Sequence, residues 1–254
     1  MQPAARSRRH QPGAFRLTAP AILVVTGLTR EARIAAGPGV VAIAGGGTAA
    51  RAERIEAAVR ELEPEAIVSF GLAGALAPGL RPGDLLAGSA VLAGAERFEC
   101  DPTWRGAILA ALTARRGEGE RGEVLVLGVE AMITHADAKR GLHAQTGAAI
   151  VDMESVAVAR AAAAYGLPLA VIRAVSDSAD QTLPSAVLSG MKPDGGMDLG
   201  GVLASLAREP RQLPALIRTG REAERGFKAL DHARRLLGPR LGRLDLGEFL
   251  LDVG

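Results

Sequence analysis

Aromatic residues make up only 3% of this 254-residue chain, with one Trp and one Tyr. A surface that grips nucleic acid by stacking bases on aromatic rings is therefore not expected. Cysteine occurs once, at Cys100, which excludes an intramolecular disulfide and fits a reducing cytoplasm. The four histidines are scattered without metal-ligand spacing, so neither a structural nor a catalytic metal is expected. No linker rich in Pro, Gly and Ser divides the chain, and one full core is the default at this length. Long apolar runs are also missing. The Ala-rich stretch after Ser155 is broken by Arg160, Tyr165 and Pro168, so it is no membrane span.

Acidic residues are absent from the first twenty positions, where Arg6, Arg8, Arg9 and Arg16 give a basic segment. Since the formal net charge is +2, the remainder carries about −2. The apolar run Ala19 to Leu28 is short and has no convincing cleavage site, so residues 1–20 read as a disordered basic tail rather than a signal peptide. A second basic stretch, from Arg208 to Arg243, has ten Arg or Lys against four Asp or Glu. The portion between is acidic, which argues against a nucleic-acid footprint there.

Alternation of short β-branched runs with helical patterns predicts an α/β fold. Strands are expected at Ile22 to Thr26, Val40 to Ala44, Ala66 to Phe70, Asp84 to Val91, Val124 to Leu127, Ala149 to Val151 and Leu169 to Val175. Helices are expected at Ala49 to Leu62, Trp104 to Arg115, His135 to Gln145 and Met153 to Tyr165. The arrangement implied is a three-layer αβα sandwich around a mixed, mostly parallel sheet. The expected division is a tail over 1–20, a catalytic domain over 21–207 and a basic helical extension over 208–254 packed on it. In that extension Leu213, Leu216, Ile217, Gly220, Ala223, Phe227, Leu230 and Ala233 fall at helical spacing. The plainer expectation is a helix lying on the sheet; the sharper one is a basic amphipathic surface for an anionic membrane.

Two isolated carboxylates and an arginine lie at the edges of apolar elements. Glu154 opens a helix, while Arg173 and Asp177 end the apolar run Leu169 to Val175. In open α/β sheets that strand end is where ligands bind. A carboxylate at Glu154 can accept two hydrogen bonds from a ribose cis-diol, Met153 can pack under the sugar, and Asp177 can protonate a departing purine. That last role requires a carboxyl that keeps its proton, which an apolar strand end favours by desolvation. The plainer alternatives are a helix-start acid for Glu154, a core residue for Met153, and an Asp177 that caps a turn or pairs with Arg173. Gly45, Gly46 and Gly47 at a strand end, with Arg51 one turn into the next helix, form a candidate phosphate cradle. Arg173 serves either a phosphate or a water nucleophile. His135 reads as a surface or capping residue, and Cys100 as incidental.

The segments Asp152-Met153-Glu154-Ser155 and Val171 to Asp180 resemble the signature of the purine nucleoside phosphorylase and 5′-methylthioadenosine/S-adenosylhomocysteine nucleosidase superfamily. Phe70 to Leu76, followed by Pro82-Gly83-Asp84, is similar to its glycine-rich second motif. The resemblance runs from about residue 21 to 190. Within it, Val25 to Arg33, Gly45 to Arg51 and Gly190 to Asp194 resemble the hopanoid-associated phosphorylase branch. The resemblance implies release of adenine from an adenosyl compound, adenosylhopane in hopanoid biosynthesis, with Asp177 protonating purine N7. It further implies catalytic roles for Glu154 and Arg173, substrate contacts from Met153, Ser176, Gly74 and Glu31, and inorganic phosphate held by Gly46, Gly47 and Arg51 as co-substrate. No other cofactor is implied. The partners implied are a small, lipid-linked purine nucleoside and further copies of the chain, in the cytoplasm or at the inner membrane face.

Two departures matter. Leu72 stands where relatives carry Ser or Thr, which removes a hydroxyl ligand for the nucleophile. Glu31 is displaced by about one residue from the superfamily's N-terminal glutamate, leaving a helix-start acid as its alternative. The rival functions are a hydrolytic 5′-methylthioadenosine/S-adenosylhomocysteine nucleosidase and, in another class, a non-catalytic nucleoside-binding protein.

Overall fold

The computed structural model describes residues 21–45, 48–113, 121–189, 196 and 198–243. The basic segment 1–20, Gly46 and Gly47, Gly190 to Asp194 and the stretch after Arg243 lie outside them. Strands β1 (Ile22–Thr26), β2 (Val40–Ala44), β3 (Ala66–Ala75), β4 (Leu85–Ala93), β5 (Glu96–Glu99), β6 (Arg121–Gly128), β7 (Ile150–Asp152) and β8 (Leu169–Asp177) make one eight-stranded mixed sheet. Helices α1 (Thr29–Ala35), α2 (Thr48–Leu62), α3 (Pro102–Thr113), α4 (Ala136–Thr146), α5 (Ser155–Tyr165), α6 (Ala186–Ser189), α7 (Leu199–Arg208) and α8 (Leu213–Leu237) accompany it.

Central strands are apolar on both faces, as parallel strands between helix layers must be. Successive residues of β1 point to opposite layers. Leu23 and Val25 join Ile55 and Val59 of α2 and Val158 of α5 in one core. Ile22 and Val24 join Ile108 of α3 and Leu230, Ala233 and Leu237 of α8 in the other. This is the αβα sandwich expected from the alternating pattern.

The sheet also closes partly on itself. β3 pairs in parallel with β8, β8 runs antiparallel to β4, β4 runs parallel to β6, β6 to β7, and β7 returns antiparallel to β3. One edge of β3 therefore changes neighbour. Ala66 to Ser69 face β1, whereas Gly74 and Ala75 face β7. Between these pairings Phe70 to Ala73 carry no strand on that edge, and the crevice at the carboxyl end of β1 opens there. Such a switch of neighbours is where an α/β sheet accepts ligands.

The structure departs from the sequence pattern in instructive places. β3 continues to Ala75 and β8 to Asp177, through glycines and polar residues that look like loops in isolation. β5 was not expected: its Glu-Arg-Phe-Glu run has no apolar period and is held by antiparallel pairing with β4. α6 and α7 were not expected either, and α1 was foreseen only in the helix-start reading of Glu31.

The basic C-terminal segment forms the 25-residue α8. Its second half buries Gly226, Leu230, Ala233 and Leu237, while Leu213 and Ile217 near its start remain exposed. Among the described residues no helix is long and apolar enough to cross a membrane. Gly226 marks the closest approach of α8 to the sheet: a Cβ there would lie 2.6 Å from Leu72 Cδ2 and 3.1 Å from the Val175 carbonyl oxygen. Gly226→Val is thus expected to lower the unfolding free energy by about 1–3 kcal/mol through overpacking, read from urea denaturation. An unchanged or raised midpoint would contradict this contact.

Candidate active site

Arg173 on β8 is fully buried, a position a guanidinium tolerates only with partners. Its Nε donates to Asp152 Oδ2 at 2.7 Å, and its Nη2 donates to Ser69 Oγ at 2.6 Å and Ser155 Oγ at 3.2 Å. Burial opposes its charge, but the carboxylates of Asp152, Glu154 and Glu31 outweigh that and hold its pKa above the usual value. Its Nη1 has no hydrogen-bond partner. Arg173 therefore pairs with Asp152, not with Asp177, and most of its hydrogen-bonding capacity is committed within the protein.

Asp152 does a second job. Its Oδ1 accepts the backbone N–H groups of Glu154 at 3.1 Å and Ser155 at 2.9 Å, satisfying free donors at the start of α5. Glu154, at the N-cap, makes no side-chain capping bond. Its carboxylate instead faces Arg51 at 3.4 Å and Arg173 at 3.7 Å, distances that leave its lone pairs available to a diol. Burial pushes the Glu154 pKa up, with Arg173 and Arg51 opposing and Asp152 reinforcing.

Glu31 enters the same cluster from α1. Oε2 accepts the N–H groups of Gly27 at 3.0 Å and Leu28 at 2.8 Å, and Oε1 accepts the Leu72 N–H at 2.8 Å, in the stretch of β3 that no strand covers. It caps its helix and reaches the crevice at once. Burial raises its pKa to about 7, helped by the neighbouring Glu154 charge and opposed by the Leu72 hydrogen bond and Arg173. Leu72 contributes through its N–H; its side chain lies against α8. The next-door Gly71 has no side chain for a reason: a Cβ there would meet Arg173 Nη1 at 2.7 Å and Glu31 Oε1 at 2.8 Å. A donor and an acceptor thus both lie against the Gly71 backbone.

Asp177 stands further along the same strands. The pairing of β3 with β8 slips at Ala73 and Gly74, and this bulge turns Asp177 toward Gly74. Ser176 Oγ donates to Asp177 Oδ1 at 2.6 Å. The apolar surroundings expected to keep Asp177 protonated are not what it has. Lys139 of α4, fully buried, donates from Nζ to Asp177 Oδ2, to Ser178 O at 3.0 Å and to Gln181 O at 3.0 Å. The carboxyl is ion-paired, a correction that follows from a residue the sequence pattern assigned only to a polar helix.

Arg51 is also engaged rather than open. Nη1 donates to the Met153 carbonyl at 2.5 Å and Nη2 contacts Glu154, while the buried Nε lacks a partner. Gly46 and Gly47, its companions in the expected phosphate cradle, lie outside the described residues. Met153 is half-buried beside this contact. His135 is exposed at the start of α4, and Cys100 is buried, which drives its thiol up to about 12 and keeps it un-ionised at neutral pH. Among the described residues no group could hold a metal ion. A cleft of about 1510 Å³ opens beyond Asp177, lined by Leu76, Arg81, Ser178, Asp180, Arg225 and His232 rather than by Glu31, Glu154 or Arg173.

A sheet that switches neighbours over buried carboxylates, with an arginine between them, is the framework of an α/β enzyme acting on a nucleoside-sized ligand. The chain belongs to the phosphorylase superfamily, whose family profile matches residues 21–192. Solved structures with the same fold include an MTAN mutant from Helicobacter pylori holding 5′-methylthioadenosine in its active site. It is 13% identical, spans 85% of this chain and 98% of its own, and has a TM-score of 0.58. The 5′-methylthioadenosine/S-adenosylhomocysteine nucleosidase of S. pneumoniae is 18% identical over 86% of this chain and 100% of its own, with a TM-score of 0.59. Futalosine hydrolase of Helicobacter pylori is 13% identical over 85% and 97%, with a TM-score of 0.59. No curated protein matches the chain.

Two predictions follow from the cluster. Asp152→Ala leaves the buried guanidinium without its counter-ion, so the unfolding free energy is expected to fall by about 3–5 kcal/mol; a loss under about 1 kcal/mol contradicts the pairing. The second concerns Glu31, which ionises near 4.5 when unfolded and near about 7 when folded. The native state then holds a proton that the unfolded chain has released. Its contribution to stability is therefore full below about pH 4.5 and has fallen by about 3 kcal/mol once the pH passes about 7. Urea unfolding at several pH values should show the stability difference between Glu31→Gln and the parent moving toward the variant across that window.

Proposed function

We infer that the protein cleaves the N-glycosidic bond of a 6-aminopurine nucleoside, with water as the nucleophile. The observation that carries this reading is that Glu31 Oε1 and Arg173 Nη1 both lie against Gly71. A water molecule bridging these two atoms would have an acceptor and a donor, and the acceptor is a carboxylate whose pKa of about 7 suits a general base at neutral pH.

The rest of the chemistry follows from charge. As the glycosidic bond lengthens, positive charge grows on the ribose, which Glu154 favours while accepting the sugar hydroxyls. Glu31 removes a proton from water as its oxygen attacks C1′, and the bonding electron pair leaves with the purine, which takes a proton on N7. Asp177 ends β8 opposite Gly74, three residues beyond Gly71 along β3, about 10 Å, at the scale of a nucleoside. An ionised Asp177 accepts hydrogen bonds, which matches a purine carrying an amino group.

Phosphorolysis, the co-substrate reading of the glycine turn, fits the electrostatics less well. Glu31, Asp152 and Glu154 already surround Arg173, and Glu154 also faces Arg51, so both guanidiniums have carboxylate neighbours that compete with a phosphate. Arg51 is drawn to Met153 and Glu154. The group at ribose C5′ touches none of these residues; adenosylhopane, implied by the resemblance of the opening loops, and 5′-methylthioadenosine are the substrates to compare.

Adenine release from both, in phosphate-free buffer, tests the reading. The parent kcat/KM should climb through about pH 7 as Glu31 ionises and then level off. Glu31→Gln should lose about 100-fold or more and lack that limb. A parent profile flat across neutrality, or a fully active variant, contradicts the role of Glu31.

A further inference from the structure

The purine needs a proton as it leaves, yet Asp177, its neighbour on the strand end, is bonded as a carboxylate. Oδ1 accepts from Ser176 Oγ and Oδ2 accepts from Lys139 Nζ. A carboxylate that only accepts cannot act as a general acid. The nearest ionisable proton is on Lys139.

Lys139 is an unusual lysine. It is fully buried, and its Nζ has three acceptors, Asp177 Oδ2, Ser178 O and Gln181 O, matching the three protons of an ammonium. Its neighbours on α4, Asp137 and Arg140, are exposed and pair with each other. A lysine that merely solubilised the helix would lie with them. Burying an ammonium and a carboxylate together carries a large desolvation penalty, and proton transfer within the pair leaves two neutral groups instead. Among the described residues, Asp177 is the titratable group that Nζ bonds, Asp180 lies near enough to feel its charge, and the other two acceptors are carbonyls.

We propose that Lys139 is a positioning residue that stores the proton Asp177 delivers to the leaving purine. The inference rests on the purine-nucleoside reading above. During cleavage the Nζ–H bond of Lys139 breaks and an O–H bond forms on Asp177. That O–H then breaks as the N7 lone pair of the purine takes the proton, while the electron pair of the glycosidic bond goes to N9 and into the purine ring. Asp177 is again a carboxylate and Lys139 a neutral amine. The proton that Glu31 takes from the attacking water goes to solvent, and Lys139 regains one from solvent, so each turnover consumes one water and no net proton. Ser178, whose carbonyl holds Nζ, lines the large cleft, so the amine is one residue from water.

The test compares the parent with Lys139→Met and Lys139→Arg on an adenine nucleoside and on its N7-methylated analogue, whose base already carries the charge that protonation supplies. Methionine removes the proton store; arginine keeps the positive charge but does not release a proton. Both variants should lose at least about 100-fold in kcat/KM on the ordinary nucleoside at neutral pH and far less on the methylated one. On the ordinary nucleoside, the ratio of Lys139→Met to parent should also rise as pH falls, because solvent acid then supplies the proton that Lys139 no longer does. Equal losses on both nucleosides with a pH-independent ratio, or full rescue by arginine, overturn the proposal. If the methylated nucleoside is not cleaved by the parent, the pH dependence of the ratio decides alone. A parent that cleaves no purine nucleoside at all would instead defeat the functional reading on which this rests.

Discussion

The ion pair between Arg173 and Asp152 connects nearly every part of the site. A guanidinium inside a sheet is costly unless its donors are met, and here strands β3 and β7 and the start of α5 each bring one acceptor to it on β8. The same Asp152 occupies the free N–H groups of α5, which is why Glu154 is not consumed as a helix cap. The one donor of Arg173 left over, Nη1, points toward Glu31 beside Gly71. Burial thus does two things: it makes the pair obligatory, and it lifts the nearby carboxylate of Glu31 into the neutral range.

Backbone geometry supplies the second constraint. Where β3 loses β1 as a neighbour and has not yet gained β7, the Leu72 N–H has no strand partner, and Glu31 serves as its acceptor. The bulge between β3 and β8 then re-aims the chain so that Asp177 comes forward near Gly74. Glu154, Glu31 and Asp177, the carboxylates we assign to sugar, water and base, are therefore distributed along one seam of the sheet. Each has a different environment: Glu154 beside two guanidiniums, Glu31 among backbone N–H groups, Asp177 against an ammonium. Pushing like groups into unlike surroundings is how one fold obtains separate acid and base functions.

Much of this was legible in the residues. Apolar β-branched runs mark the strand cores, and the helical stretches follow from Ala, Leu and Arg content. Glu154, Arg173 and Asp177 stand out as charges at the ends of such runs. The less legible parts are those that depend on long-range pairing. β5 has no pattern of its own and exists because β4 presents an edge. Asp152 was visible within its motif, but its role needs both α5 and β8 in place. Lys139 was missed because its helix reads as polar; the usable signal was that it shares a face with Leu142 and Thr146, three and seven residues on, and Leu142 packs into a core cluster. Leu72 looked like a lost ligand, whereas its side chain serves α8 and its N–H serves Glu31.

The claim that most depends on all of these parts is that water, held between Glu31 and Arg173, attacks the sugar. Its most direct measurement is the fate of oxygen when an adenine nucleoside turns over in ¹⁸O-enriched water with inorganic phosphate present, with the sugar product examined by mass spectrometry. The account predicts a free sugar carrying one solvent-derived oxygen at C1 and no dependence of the rate on phosphate. A sugar 1-phosphate as the product would contradict it and return the nucleophile's place to an anion.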